Sequence, residues 1–238
     1  MCRMAAFSMR QHANVSWIIE YVKHMALCGQ KGPHSDGWGY VLIGDDRKIE
    51  CKSLIPAYDD KDMLLTDDQK FNIGIVHARQ ASKGLPKTKM QLHPFYKDGK
   101  YFAHNGTIST ANRKNVFSSD TYDFFEHVLP FNDFEELIRL VREYAKSEEF
   151  SGINFLLIDE AEDSLYVGCC YGSKEDEDYF TLYYSCEDDC FSVFSENPLG
   201  KALGNYEPMK NGEVFKVLAG KIVERRNLFD ECTITQRE

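Results

Sequence analysis

From residue 153 onward the chain reads as strand after strand. Segments 153–158, 164–170, 179–186, 191–195, 213–218 and 221–224 are each short, apolar-rich and bounded by turn residues. The connections between them are mostly short and hold no helical pattern, so these strands pair as antiparallel neighbours. A doubly wound parallel sheet, which needs a strand–helix alternation, does not fit this order.

The helices lie before residue 153. Residues 1–8 read as a strand. Asn14 is placed to cap a helix in which Ile18, Tyr21, Val22 and Met25 share one face, with Gly29 stopping it. Strands follow at 38–44 and 48–53, joined at Asp45-Asp46, and the polar stretch 59–68 is read as holding a short helix. Residues 71–79 form another strand, 81–93 a loop rich in Lys, Gly and Pro. A hairpin at 95–96 and 100–103 turns across Asp98-Gly99. A helix at 120–129 ends at Pro130, and Asp133 caps a second with Phe134, Leu137, Ile138 and Val141 on one face. No linker, repeat or low-complexity stretch divides the 238 residues, so 1–238 is read as one domain of α+β class, with helices outside largely antiparallel sheets.

Composition narrows the function classes. The formal net charge is −10, and no Lys/Arg cluster offsets it, which argues against a nucleic-acid partner. The acid gathers at 174–178 and 187–189, read as solvated turns. Apolar runs such as Val41-Leu42-Ile43 fall far short of the ~20 residues that span a bilayer. The N-terminus lacks an apolar core of about 7–15 residues, so a cytoplasmic location without membrane association is expected. Eight cysteines include no Cys-x-x-Cys pair, which leaves no metal site and no cofactor in view; they are read as reduced thiols. Cys186 and Cys190 flank an acidic turn at a spacing that lets them face each other.

Several residues have chemistry to offer, each with a plainer explanation beside it. Cys2 follows the initiator methionine. With Met1 removed, it carries a thiol and a free α-amine, and the amine (reference pKa ~7.7–8.0) is a built-in base. With Met1 retained, that nitrogen is an amide. In strand 71–79, Ile73, Ile75, His77 and Arg79 share one face. Arg79 ends the strand, where it either terminates it at the surface or meets a carboxylate with two parallel hydrogen bonds. His77 reads as a packed strand residue. His104-Asn105-Gly106 is a turn, or a pair of donors, the Asn105 amide and the Gly106 N–H, aimed at one developing oxyanion. Asp120 is an N-cap, a carboxylate for a substrate ammonium, or both. Trp38, between Gly37 and Gly39, is core or pocket wall.

Taken in order, Cys2, the His-x-Arg of His77–Arg79, His104-Asn105-Gly106 and Ser119-Asp120 resemble the class II glutamine amidotransferases, members of the N-terminal nucleophile hydrolases. Met1-Cys2-Arg3-Met4, the stretch from Pro33 to Gly39 and His93-Pro94-Phe95 resemble the compact, free-standing subgroup. The likeness is densest over residues 1–125. It implies a four-layer αββα sandwich with two mostly antiparallel sheets between helical layers. It also implies roles: Cys2 as nucleophile, Asn105 and Gly106 as oxyanion hole, Arg79 on the substrate α-carboxylate and Asp120 on its α-ammonium. Ser82 stands where the family more usually has threonine.

Three readings remain. The first is a glutaminase or amidotransferase subunit that releases ammonia from glutamine, with a separate ammonia-accepting synthase as possible partner. The second is a hydrolase of γ-glutamyl conjugates, the third a non-enzymatic glutamine- or glutamate-binding module. Oligomeric state and acceptor are not legible in the sequence.

Overall fold

A strand buried on both faces loses its alternation and reads as a nearly continuous apolar run. The strand β1 (Arg3–Ala13) does this: its first seven residues are all buried. Met4 and Ala6 face one apolar core, while Ala5, Phe7 and Met9 face another. Two layers therefore cover it, and the rest of the chain provides them. The computed structural model describes residues 2–66, 68–82, 86–109, 119–197 and 205–230.

After β1 come the helix α1 (Ser16–Cys28) and the strands β2 (Trp38–Ile43), β3 (Lys48–Ser53), β4 (Phe71–Ala78), β5 (Phe95–Lys97) and β6 (Lys100–Asn105). Helices α2 (Asp120–Val128) and α3 (Phe134–Ser147) precede β7 (Asn154–Asp159) and β8 (Ser164–Gly168). A short helix, α4 (Glu177–Phe180), leads into β9 (Tyr183–Glu187), β10 (Cys190–Phe194), β11 (Glu207–Pro208), β12 (Glu213–Leu218) and β13 (Lys221–Asn227). One sheet has the order β11-β9-β10-β1-β4-β2-β3, the other β13-β12-β8-β7-β6-β5. Every pairing is antiparallel.

The sheets pack face to face through Met4, Ile73 and Ile75 from one and Leu156, Ile158, Leu165 and Val217 from the other. Outside the first sheet, α1 buries Ile18, Ile19, Val22 and Met25 against Phe7, Leu42 and Val76. Outside the second, α2 and α3 bury Phe124, Phe125, Leu137 and Val141 against Phe102, Phe155 and Leu157. This is the αββα sandwich that the sequence led us to expect. The face assignment within residues 71–79 also holds: Ile73 and Ile75 look inward, Val76 and Ala78 toward α1.

Local differences have local causes. Residues 59–66 and 68 form turns rather than a short helix. Asp60 accepts the Asp62 N–H at 3.0 Å and the Trp38 indole N–H at 3.0 Å, and a side chain that captures the backbone two residues on competes with helix formation. Trp38 is thereby core, fully buried and stacked on Tyr40. Asn14 acts one residue early: its Oδ1 accepts from the Ser16 N–H at 3.0 Å, while Val15 occupies the cap position. Residues 174–180 coil into helical turns instead of a bare turn and strand, closed by the Thr181 hydroxyl on the Glu177 carbonyl at 2.8 Å. Cys186 pairs in register with Phe191 and Cys190 with Glu187, so the two cysteines are offset by a step and both are free thiols. Among the described residues, no cluster of three metal-ligating side chains occurs and no helix is long and apolar enough to cross a membrane.

Phe102 sits at the centre of the outer core, 4.9 Å from Phe125 in a parallel stack and 5.5 Å edge-on from Phe124. Phe102→Ala should lower the unfolding free energy by about 3–5 kcal/mol, since the cavity it leaves is walled by rigid rings. Urea unfolding of the variant, read by its midpoint at unchanged slope, measures this.

Candidate active site

Strand register carries Cys2 to Arg79. In the antiparallel β1–β4 pair, Arg3 opposes Ala78, so the next step along sets Cys2 beside Arg79. Both are buried, at 8% and 4% exposure. The Arg79 backbone is pinned on both sides, its N–H donating to Gly37 O at 2.8 Å and its carbonyl accepting from the Asp36 N–H at 3.0 Å. Its guanidinium donates to the Pro86 carbonyl at 3.3 Å. Among the described residues no carboxylate forms an ion pair with it. A buried cation without a counter-ion is costly, and an incoming carboxylate relieves that cost.

The second sheet supplies the opposite wall. Strand β6 ends at Asn105, which pairs with Asn154 and is fully buried. Asn105 Oδ1 accepts from the Cys2 backbone nitrogen at 2.8 Å, and its Nδ2 has no partner. Gly106 follows where only glycine fits: a Cβ there would lie 1.7 Å from the Gly152 carbonyl oxygen. The segment after it is clamped. Thr107 N–H donates to Ser151 Oγ at 3.2 Å, Ser151 N–H to the Thr107 carbonyl at 3.0 Å, and Ser109 N–H to the Glu149 carbonyl at 2.7 Å.

Helix α2 brings the carboxylate. Its cap is Ser119, whose Oγ accepts from the Tyr122 N–H at 3.1 Å, which corrects the reading of Asp120 as the cap. Ser118 lies outside the described residues. Asp120 stands one position into the helix, its Oδ1 accepting from Thr121 N–H at 2.9 Å and its Oδ2 from Ile108 N–H at 3.0 Å. Each oxygen keeps a lone pair for a further donor. The Ile108 contact gives Asp120 a second task that the sequence did not reveal, holding the strip just past Gly106. Ser82 Oγ lies 3.5 Å from Thr107 Oγ1.

Cys2, Arg79, Ser82, Gly106 and Asp120 line one cleft of about 350 Å³, counting its open mouth. Gln80, Ala81, Gln91, His93, His104, Ser119 and Thr121 complete the wall, and Asn105 is not among the lining residues. Sequence reasoning missed the roles of His93 and Thr121, although His93-Pro94-Phe95 was legible as a motif and Thr121 adjoins Asp120.

Burial pushes the Cys2 thiol up, and the neighbouring Arg79 charge pulls the other way. At neutral pH the sulfur is a thiol. Two neutral histidines, His93 and His104, stand in the wall of the cleft, and a third, His77, lies behind them. His77 Nε2 lies 3.1 Å from His93 Nδ1, and burial holds both rings well below the usual histidine range. Burial lowers His104 too, with the Asp120 charge opposing it.

No protein-family model matches this sequence, and a search of curated proteins finds no match. Solved structures do match. The amidotransferase acting on glutamine and phosphoribosylpyrophosphate from B. subtilis aligns over 95% of this chain with a TM-score of 0.66 at 17% identity. This chain spans about half of that enzyme's length, 49%. A glutamine aminotransferase class-II domain protein from Silicibacter pomeroyi aligns over 95% of this chain and 99% of its own, with a TM-score of 0.59 at 15% identity. A protein described as a predicted glutamine amidotransferase from Pseudomonas aeruginosa PA01 aligns over 94% of this chain and 100% of its own, at TM-score 0.57 and 21% identity. The chain therefore shares its fold, the αββα sandwich, with these glutamine amidotransferase structures.

The buried histidines set an acid limit on stability. Their folded pKa values lie below the unfolded value of ~6.5, so below pH 6.5 the unfolded chain binds protons that the folded chain refuses. Stability should be full above that pH and fall beneath it, by up to about 1.4 kcal/mol per pH unit for each histidine. Denaturant unfolding between pH 7 and 5 measures the slope. His77→Gln should flatten it, and an unaltered slope would disprove the assignment.

Proposed function

We propose that the chain hydrolyses the side-chain amide of glutamine, with Cys2 as nucleophile once Met1 has been removed. One observation carries this reading. Asn105 spends its oxygen on the backbone nitrogen of Cys2 and leaves its buried NH2 group unpaired, one residue before the Gly106 that lines the cleft. A donor held in that way waits for an oxygen that develops charge.

Glutamine presents one carboxylate, one ammonium and one amide, and the cleft offers a complement to each. The Arg79 guanidinium takes the α-carboxylate in two parallel hydrogen bonds. The free lone pairs of Asp120 take the α-ammonium. Ser82 lends a hydroxyl on the carboxylate side. The Cys2 thiol gives its proton to its own α-amine, and the sulfur bonds to the amide carbon. The amide oxygen becomes an oxyanion between Asn105 Nδ2 and the Gly106 N–H. The proton passes from the α-ammonium to the departing nitrogen, the C–N bond breaks, and ammonia leaves behind a thioester. Water adds to the thioester and releases glutamate and the thiol. The ammonia goes to solvent or to a separate acceptor protein.

The raised thiol pKa favours a mechanism with a built-in base over a resting thiolate. A substrate lacking either charged end would leave Arg79 or Asp120 unpaired and should be rejected.

Incubation of the Met1-free protein with glutamine should release ammonia and glutamate in equal amounts, and Cys2→Ala should abolish this while the fold persists. Turnover that survives Cys2→Ala would end the proposal. A far higher kcat/KM on γ-glutamyl peptides than on glutamine would instead reassign the leaving group. Arg79→Lys keeps the charge but loses the two-pronged contact, so its KM for glutamine should rise about tenfold or more. Steady-state kinetics at saturating and limiting glutamine decide this, and an unchanged KM would remove Arg79 from the carboxylate.

A further inference from the structure

His104 takes no part in the chemistry above, yet it is wholly buried and held at both ring nitrogens. Its Nε2 lies 3.1 Å from the Gly152 carbonyl oxygen. A carbonyl only accepts, so Nε2 carries the proton. Nδ1 is then the acceptor, and the Thr121 hydroxyl, 2.9 Å away, donates to it. Burial keeps the ring in this neutral form.

Each end of this bridge touches the proposed site. Thr121 follows Asp120 in the first turn of α2 and lines the cleft. The Gly152 carbonyl is the atom packed against Gly106, where it leaves no room for a side chain. Gly106 has no side chain of its own to fix its backbone, so neighbours must set the direction of its N–H. Oxyanion donors act only when they are aimed before the reaction begins.

We infer that His104 and Thr121 are positioning residues: the imidazole, braced by the Thr121 hydroxyl, holds the Gly152 carbonyl against Gly106 and so aims the Gly106 N–H at the oxyanion. The inference rests on the proposed glutamine hydrolysis. It joins the two ends of the cleft, because the turn of α2 that presents the ammonium-binding carboxylate also braces the oxyanion donor.

Thr121→Val removes the hydroxyl and leaves the side-chain shape nearly intact. In the Met1-free protein it should lower kcat for glutamine by roughly tenfold or more, as small misplacements of catalytic groups do. KM and the inhibition constant for glutamate, which develops no oxyanion, should move by less than about twofold. Thr121→Ser should recover kcat to within about threefold of the parent. A folded Thr121→Val protein with parental kcat, or one whose kcat and glutamate affinity fall together, overturns the inference. If Thr121→Val fails to fold, Thr121→Ala reads the same contact by the same criteria. A parent protein inert toward glutamine overturns the proposed function and this inference with it, whereas an active parent with an indifferent Thr121→Val overturns the inference alone.

Discussion

At the cleft a polar tie, from the Cys2 backbone nitrogen to Asn105 Oδ1, joins the end of one sheet to the end of the other. The interior between the sheets is filled by Met4, Ile73, Ile75, Leu156 and Val217, whose contacts are apolar, and further polar ties run from Tyr101 to Glu50, from Arg225 to Tyr184 and from the Gly220 N–H to Ser8 Oγ. Apolar contact is strong in sum but non-directional. It holds two sheets together without deciding which atom at their rim meets which. The Cys2–Asn105 contact is directional, and it fixes the start of β1 against the end of β6 at the place where the cleft opens.

The rest of the site follows from two geometric facts. Antiparallel register sets Cys2 beside Arg79 on neighbouring strands. The close approach of the Gly152 carbonyl to Gly106 draws the segment 149–152 along the strip 106–109, where a ladder of backbone and hydroxyl contacts holds it. Asp120 then fastens the same strip from the helical side through Ile108. An element of each kind, a central strand, an inner strand end and a helix start, thus converges on one small volume. Strand ends and helix starts are also where unpaired backbone and side-chain donors are available.

Much of the fold was legible before any coordinates. Runs of short strands after residue 152, with amphipathic helices before them, leave few options besides antiparallel sheets under helices. The site was legible only through motif order. No property of Asp120 in isolation separates a cap from a ligand, and the neighbouring Ser119 took the cap. Asn14 and Asp60 show the same limit on a smaller scale. Short polar side chains bind whatever backbone N–H the local turn offers, and sequence spacing predicts that partner only to within a residue or two.

The sequence by itself determined the layers, because burial on two faces or one is written in the spacing of apolar residues, and spacing is local. It also determined the inventory of groups the cleft draws on: Cys2 behind the first methionine, Arg79 at a strand end, Asn105-Gly106 and the Asp120 of a helix start. The tertiary structure alone decided that Asn105 would give its oxygen to Cys2 and keep its amide free, that His77 would pair with His93, and that Thr121 and Gly152 would meet across His104. Those contacts join residues far apart in the chain. They depend on strand register and on the relative placement of two sheets, which no local pattern encodes.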